Sequence, residues 1–206
     1  VDGVRVTHLA YSYTMFNDGS PNARTPADAR WLSRSLYLAQ GVKGILADAH
    51  RAKVAGADVV VVSVHWGNEY QSLPNADQET FAAALLASPD VDLILGAHVH
   101  VVQPCRTING KYVFYGLGNS LSNQAPSEAD GLRPETQEGM VATVTVRRDA
   151  DGKVTEKAVY QPTRVNLTGH VIEPVTRAGN PTTWNRVTGW VGHLGAGACA
   201  ATPTGG

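Results

Sequence analysis

DVVVVSVHWGNEY runs from Asp58 to Tyr70. Val59 to Val62 and Val64 form a β-branched apolar run broken only by Ser63, the pattern of a strand buried on both faces. The run ends at His65-Trp66-Gly67, so a buried strand delivers a histidine to its carboxyl end just where a glycine lets the chain turn. VDLILGAHVH, Val91 to His100, repeats the device. The two strands aim His65, His98 and His100 at one place, the rim of an α/β active site.

Outward from this centre, VKGILADAHRAKVA (Val42 to Ala55) has Ile45, Leu46, Ala49, Ala52 and Ala55 at helical spacing, and Gly56 sits where a capping glycine belongs. A second helix is predicted over Ala76 to Ala87, started by Asn75 or Asp77, with Phe81, Leu85 and Leu86 on its apolar face. Strand, helix and strand joined by so short a crossover predict parallel neighbours in one sheet. Val4, Val6 and the small apolar residues up to Tyr13 predict a further strand, behind a turn at Asp2-Gly3. Asn17-Asp18-Gly19-Ser20-Pro21 breaks the chain into a loop, and Ala27 to Gln40 is ambiguous, with partial helix expected. Asn109-Gly110 between strand-like runs predicts a hairpin. Ser122 to Glu138 reads as a long polar loop. Met140 to Arg147 alternates as a half-buried strand, and Lys153 to Tyr160 is its antiparallel partner across a turn at Asp149 to Gly152. Beyond Pro162 there is little period. A short helix is expected over Trp184 to Val191, and Gly195 to Gly206 is expected to be disordered or draped on the surface. The expectation is one domain over 1–165 and an irregular tail over 166–206.

Bulk properties narrow the function. The 206 residues, 43% hydrophobic and 17% charged, suffice for a real core. A net charge of −1 argues against a nucleic-acid partner bound through a basic surface. No apolar run approaches a membrane span. No signal peptide is visible at Val1, yet the chain does not begin with Met, which leaves room for a leader or anchor upstream. Cys105 and Cys199 lack C-x-x-C spacing, so a thiolate zinc site is not expected. They are the only available pair for a disulfide if the protein is exported.

Neutral imidazole is the commonest metal ligand. His98 and His100 flank Val99. In extended chain they face one side; in a loop after Gly96 they diverge toward two adjacent ions. The alternative is that these histidines are ordinary polar residues at strand ends. Three of them converging beside glycine-rich turns favour ligands. His8, His50, His170 and His193 are not expected to bind metal. Asp92 and Glu69 are carboxylates expected near the rim, and Glu69 is either a carboxylate that orients a ligand histidine or a solvated loop residue.

At His65-Trp66-Gly67-Asn68-Glu69-Tyr70, Gly96 to Pro104 (GAHVHVVQP) and Tyr115-Gly116-Leu117-Gly118-Asn119, the chain resembles the bacterial capsule-biosynthesis proteins of the CapA type. These are associated with poly-γ-glutamate and belong to the calcineurin-like metallophosphoesterase superfamily. The likeness covers roughly Val1 to Tyr160. Val99 stands where the family usually has proline, which leaves both histidines intact. The resemblance implies a four-layer αββα sandwich. His65 and His98 would be ligands of one divalent metal and His100 of another, with Glu69 and Asn119 as support candidates and no catalytic residue assigned. The superfamily's earlier Asp-x-His, second carboxylate and Asn-His motifs are not in this sequence. The chain therefore reads as the C-terminal half of such a domain, its partner the missing N-terminal half. The implied protein is extracellular or at the bacterial cell surface, possible anchoring upstream of Val1 included, and works on an anionic polymer or with capsule machinery. It is either a metal-dependent hydrolase of phosphoester-like bonds or a non-catalytic polymer-binding or assembly subunit.

Overall fold

A computed structural model describes residues 3–16, 24–151 and 154–206. The breaker cluster at Asn17–Pro21, Asp2 of the first turn, Gly152 of the later turn and Lys153, where the strand after it was expected to begin, lie outside the described residues. The fold is mixed α/β. Its first sheet contains β1 (Val6–Ser12), β2 (Val59–His65), β3 (Leu93–Ala97), β4 (Cys105–Ile108) and β5 (Lys111–Phe114), in the order β1-β2-β3-β5-β4. β1, β2, β3 and β5 are mutually parallel; β4 pairs antiparallel with β5 through the expected Asn109-Gly110 turn. Asn109 and Gly110 both take positive φ, 51° and 78°, as a type I′ turn requires.

Two helices cover one face. α1 (Tyr37–Val54) is broken at Gly41, whose φ of 59° and ψ of 178° are not helical: the expected helix follows from Val42, and the turn before it, with a short 3₁₀ segment at Arg30–Ser35, is the partial helix expected before Gln40. It ends in a Schellman pattern: Gly56, at φ 96°, donates to the Lys53 carbonyl and Ala57 to that of Ala52. α2 (Ala76–Leu86) is started by Asn75, not Asp77. Asn75 and Gln78 form a reciprocal capping box, with bonds of 2.9 and 3.0 Å.

The alternation of each strand divides the core. Val60, Val62, Val64, Ile94 and Val113 pack with Ile45, Ala49 and Leu85 of the helices. Leu93, Tyr112 and Phe114 point the other way, into a second cluster with Met140, Ala158 and Tyr160. Those come from the second sheet: β6 (Glu138–Arg148), β7 (Val154–Asn166) and β8 (Val171–Pro174), antiparallel, with β9 (Thr202–Pro203) added parallel to β7. The expected hairpin is therefore present but longer at its open end, where β6 starts at Glu138 and β7 runs on to Asn166.

The tail corrects the expectation of an irregular 166–206. Besides β8 and β9 it forms α3 (Pro181–Val191), capped by the Asn180 side chain and opened by Pro181. Val187 and Val191, four apart on one helical face, are buried in the second cluster. The Arg186 guanidinium and the Thr183 hydroxyl both donate to Glu138, whose side chain is only 3% exposed. A carboxylate that deeply buried requires such partners, so α3 completes the core. Cys199 is bonded to Cys105 across 94 positions, and its N–H donates to the Cys105 carbonyl. Closing a loop that long stabilises by up to ~4–5 kcal/mol in the chain-entropy account.

Candidate functional site

The parallel sheet sends four chain segments to one rim. Tyr13 follows β1, His65 ends β2, His98 and His100 follow β3, and Asn119 lies beyond β5. The three histidines do converge. The rings of His65 and His98 are 4.6 Å apart, and those of His98 and His100 6.3 Å. Tyr13 closes the group, 4.6 Å from His98 and stacked on His65 at 5.8 Å.

The His98-Val99-His100 backbone explains the spacing. His98 has φ 98° and His100 φ 60°, conformations costly for residues with a Cβ. Between them Val99 is 1% exposed. Its methyl groups lie where a Cβ on Gly67 or Gly116 would fall, at 2.7 and 2.6 Å. Only glycine at those two positions admits the valine, and anchoring it inward turns both flanking imidazoles outward. Gly96 is equally constrained, since a Cβ there would overlap the Tyr115 carbonyl and the Trp66 indole nitrogen.

Beneath the rim lies a satisfied polar layer. The buried Trp66 indole donates to the Tyr115 carbonyl at 3.0 Å. Gln78 donates to Gln103 Oε1 at 2.8 Å, and Gln103 Nε2 donates to the Gln71 and Leu73 carbonyls at 2.9 and 3.0 Å. Both glutamines are almost fully buried, so this network fixes the 71–75 loop and the start of α2 against the turn after His100.

Asn119 sets the state of His100. Its amide nitrogen donates to Gln124 Oε1 at 2.9 Å and to the Thr136 carbonyl at 2.8 Å, which leaves Oδ1 as the acceptor facing His100 Nδ1 at 2.9 Å. His100 therefore donates from Nδ1, and Nε2 is the nitrogen left facing the rim. Gln124 in turn donates to the Tyr70 hydroxyl, and the Tyr70 ring stacks on His100 at 5.8 Å. Glu69 Oε1 stands 3.7 Å from His100 Nε2, longer than a hydrogen bond. The His65 ring is pushed down to about 4, first by loss of water around it and then by His98 and His100; His98 is lowered too, first by burial and then by His100. Both are neutral at physiological pH, the form in which imidazole binds a metal.

A cavity of about 450 Å³ opens over these rings, walled by Tyr13, Phe16, Glu69 and the three histidines. The donor chemistry fits a divalent cation, but the number does not close a site. Among the described residues, no three His, Cys, Asp or Glu side chains are grouped so as to hold an ion. His8 and His50 lie elsewhere, bonded to Ser63 and Asp90, and Asp92, expected near the rim, stands instead at the amino ends of the strands, where it takes the Val60 N–H and pairs with Lys53. Tyr13 and Gln124 were not singled out from sequence, and Gln103 stood there only within the GAHVHVVQP stretch. Tyr13 carried a usable signal, since it follows a predicted strand; Gln124 carried none.

Comparison with known proteins gives two kinds of match. The family described as "Bacterial capsule synthesis protein PGA_cap" matches residues 1–124. The "PGA biosynthesis protein CapA" of Bacillus subtilis (strain 168) is 44% identical over 68 residues, 33% of this chain and 18% of that protein. The "Capsule biosynthesis protein CapA" of Bacillus anthracis is 32% identical over 124 residues, 60% of this chain and 28% of that protein. The matched stretches span less than a third of either relative.

Proposed function

The chain belongs to the bacterial capsule synthesis protein PGA_cap family, and from that premise we propose that it is part of a capsule-biosynthesis protein whose histidine rim supplies part of a divalent-metal site. The observation that carries this reading is the outward pair of strained histidines, one oriented by Asn119 so that Nε2 faces the rim. Backbone strain of this kind persists where the surrounding fold over-determines it, commonly at functional sites. His65 and His98 would hold one ion and His100 a second, and the remaining ligands would come from outside the described residues. A divalent ion held there would supply Lewis acidity toward a phosphoester or a related polar bond. The chain's own part is to keep the His65 and His98 imidazoles neutral, to orient His100 through Asn119, and to offer Glu69 beside it as a proton acceptor.

The rest of such a domain has a place to dock. β1 is an edge strand; Val6 is 57% exposed, and His8 and Ala10 on the same face are exposed too. A metallophosphoesterase-type sandwich would cover this bare face with the N-terminal half of the domain. We place the protein outside the cell or at its surface, in keeping with the disulfide. Among the described residues no helix is long and apolar enough to cross a membrane. A second reading, a non-catalytic polymer-binding or assembly subunit, is favoured by the incomplete ligand set.

Elemental analysis beside hydrolysis of a generic phosphodiester separates the two. The 206-residue chain alone is expected to bind metal weakly and to hydrolyse little. Joined to the remainder of a family domain, it should hold two ions tightly, and His65→Ala, His98→Ala or His100→Ala should abolish turnover. A complete domain with neither metal nor hydrolysis hands the case to the binding subunit. Two tight ions in the isolated chain would show that the ligands are misassigned.

A further inference from the structure

Tyr70 stands in left-handed backbone, at φ 62°, a conformation that glycine or asparagine takes more cheaply. It is only half-buried, so core packing does not offset the strain. Contacts from separate parts of the chain hold it there. Its N–H donates to the Val99 carbonyl at 2.7 Å, its carbonyl accepts from the Arg133 guanidinium at 2.8 Å, and its hydroxyl accepts from Gln124 Nε2 at 2.9 Å. The direction of the last bond follows from a backbone group. The Thr136 carbonyl can only accept, so Asn119 turns its amide nitrogen that way. The same nitrogen donates to Gln124 Oε1, which leaves Gln124 with Nε2 toward Tyr70. Gln124 thus braces two neighbours of His100 at once. One is Asn119, 2.9 Å from Nδ1; the other is the Tyr70 ring on the imidazole face, with 5.8 Å between centroids and 23° between planes. A hydrogen bond at Nδ1 fixes one atom but tolerates a tilt, because the torsion about the Cβ–Cγ bond of histidine is broad. A flat ring against the imidazole face removes that freedom.

We propose that Tyr70 is a positioning residue for His100: Asn119 fixes which nitrogen turns inward, Tyr70 fixes the plane of the ring, and Gln124 locks the two together. The direction in which Nε2 points is then set from the polar loop at 122–137, which supplies Gln124, Arg133 and Thr136. That Nε2 meets a metal rests on the function proposed above; the bracing of the ring does not.

In the 206-residue chain labelled with ¹³C,¹⁵N-histidine, two NMR signals of His100 report on this separately: the order parameter of its Cδ2–H bond and its hydrogen-bonded Nδ1–H proton. The parent ring should be as ordered as rigid backbone, about 0.85. Tyr70→Leu keeps an apolar side chain but no flat face, and should lower the order parameter below about 0.6 while the Nδ1–H proton stays. Tyr70→Phe, which keeps the face and loses the Gln124 bond, should fall between. Gln124→Leu leaves Tyr70 present but unbraced; it should shift the same way as Tyr70→Leu and replaces it if that variant does not fold. A ring as ordered as the parent's in both leucine variants overturns the proposal. So does loss of the Nδ1–H proton together with the order, since the loop would then have collapsed as a whole. In a complete domain, Tyr70→Leu should also weaken Zn²⁺ binding by about tenfold, the lower end for residues that orient a ligand. A mobile ring with unchanged Zn²⁺ affinity removes Tyr70 from the site while the metal reading survives. A complete parent domain that binds no Zn²⁺ removes the metal reading, and the order parameters still decide for or against Tyr70.

Discussion

At the amino ends of β2, β3 and β5, Lys53 bonds Asp92 at 2.7 Å and the Asp58 carbonyl at 2.8 Å, and Asp92 also takes the Val60 N–H at 2.7 Å. Lys111 donates to the Ser88 and Val91 carbonyls at 2.5 and 2.6 Å. At the carboxyl ends of the same strands His98 and His100 hold costly φ values and turn ring nitrogens into an open cavity. One end uses its charges to satisfy its own backbone and lock the strands together. The other is built on a satisfied layer of Trp66, Gln78 and Gln103, yet its outermost donors are left to an external partner. The amino end has one exception. Glu156 Oε2 is buried with no hydrogen-bond partner among the described residues.

The largest effect is expected from breaking the closed end. Asp92→Ala leaves a three-quarters-buried ammonium without its carboxylate and the Val60 N–H without its acceptor. The expected loss is about 2–4 kcal/mol in urea unfolding. A loss under about 0.5 kcal/mol, the level of a surface pair, would dissolve the contrast between the two ends.

A smaller gain should come from the exception. Burial, with Asp92 adding to it, raises Glu156 from 4.5 to about 7. The folded state thus holds the proton more tightly than the unfolded chain. This contribution is fully present below pH 4.5 and is lost as pH rises through about 7. Glu156→Gln should therefore match the parent near pH 4.5 and exceed it by roughly 1–2 kcal/mol at pH 8, after discount for partial exposure. Parallel stability curves between pH 5 and 8 would place Glu156 in water instead.

The smallest change belongs to the open end. His98→Gly relieves a left-handed conformation but adds unfolded-state entropy, so stability should rise by at most about 1 kcal/mol. Thermal unfolding decides this. A fall of more than 1 kcal/mol would mean that the fold holds His98 for its own packing, and the ligand reading would lose its main support.

Much of this was readable in one dimension. The β-branched runs at Val59 and Val91 imposed two buried strands, and strands parallel to each other must bring their terminal histidines to one edge. Asn109-Gly110 and Gly56 declared their turns because positive φ is a local property of the residue. The helix expected over Trp184 to Val191 is present as α3, but its place in the core was not legible, for the complementary reason. α3 has few apolar residues, and only the burial of Val187 and Val191 and the pairing of Arg186 with Glu138 give it a core to join. The site divides the same way. Which residue types stand at the rim follows from strand ends and local chemistry. That His100 donates from Nδ1, that Tyr13 walls the cavity, and that Val99 forces its neighbours into left-handed backbone depends on Asn119, β1, Gly67 and Gly116. Those residues meet only when the sheet closes, because hydrogen bonds and steric exclusion act through space and leave no periodic mark along the chain.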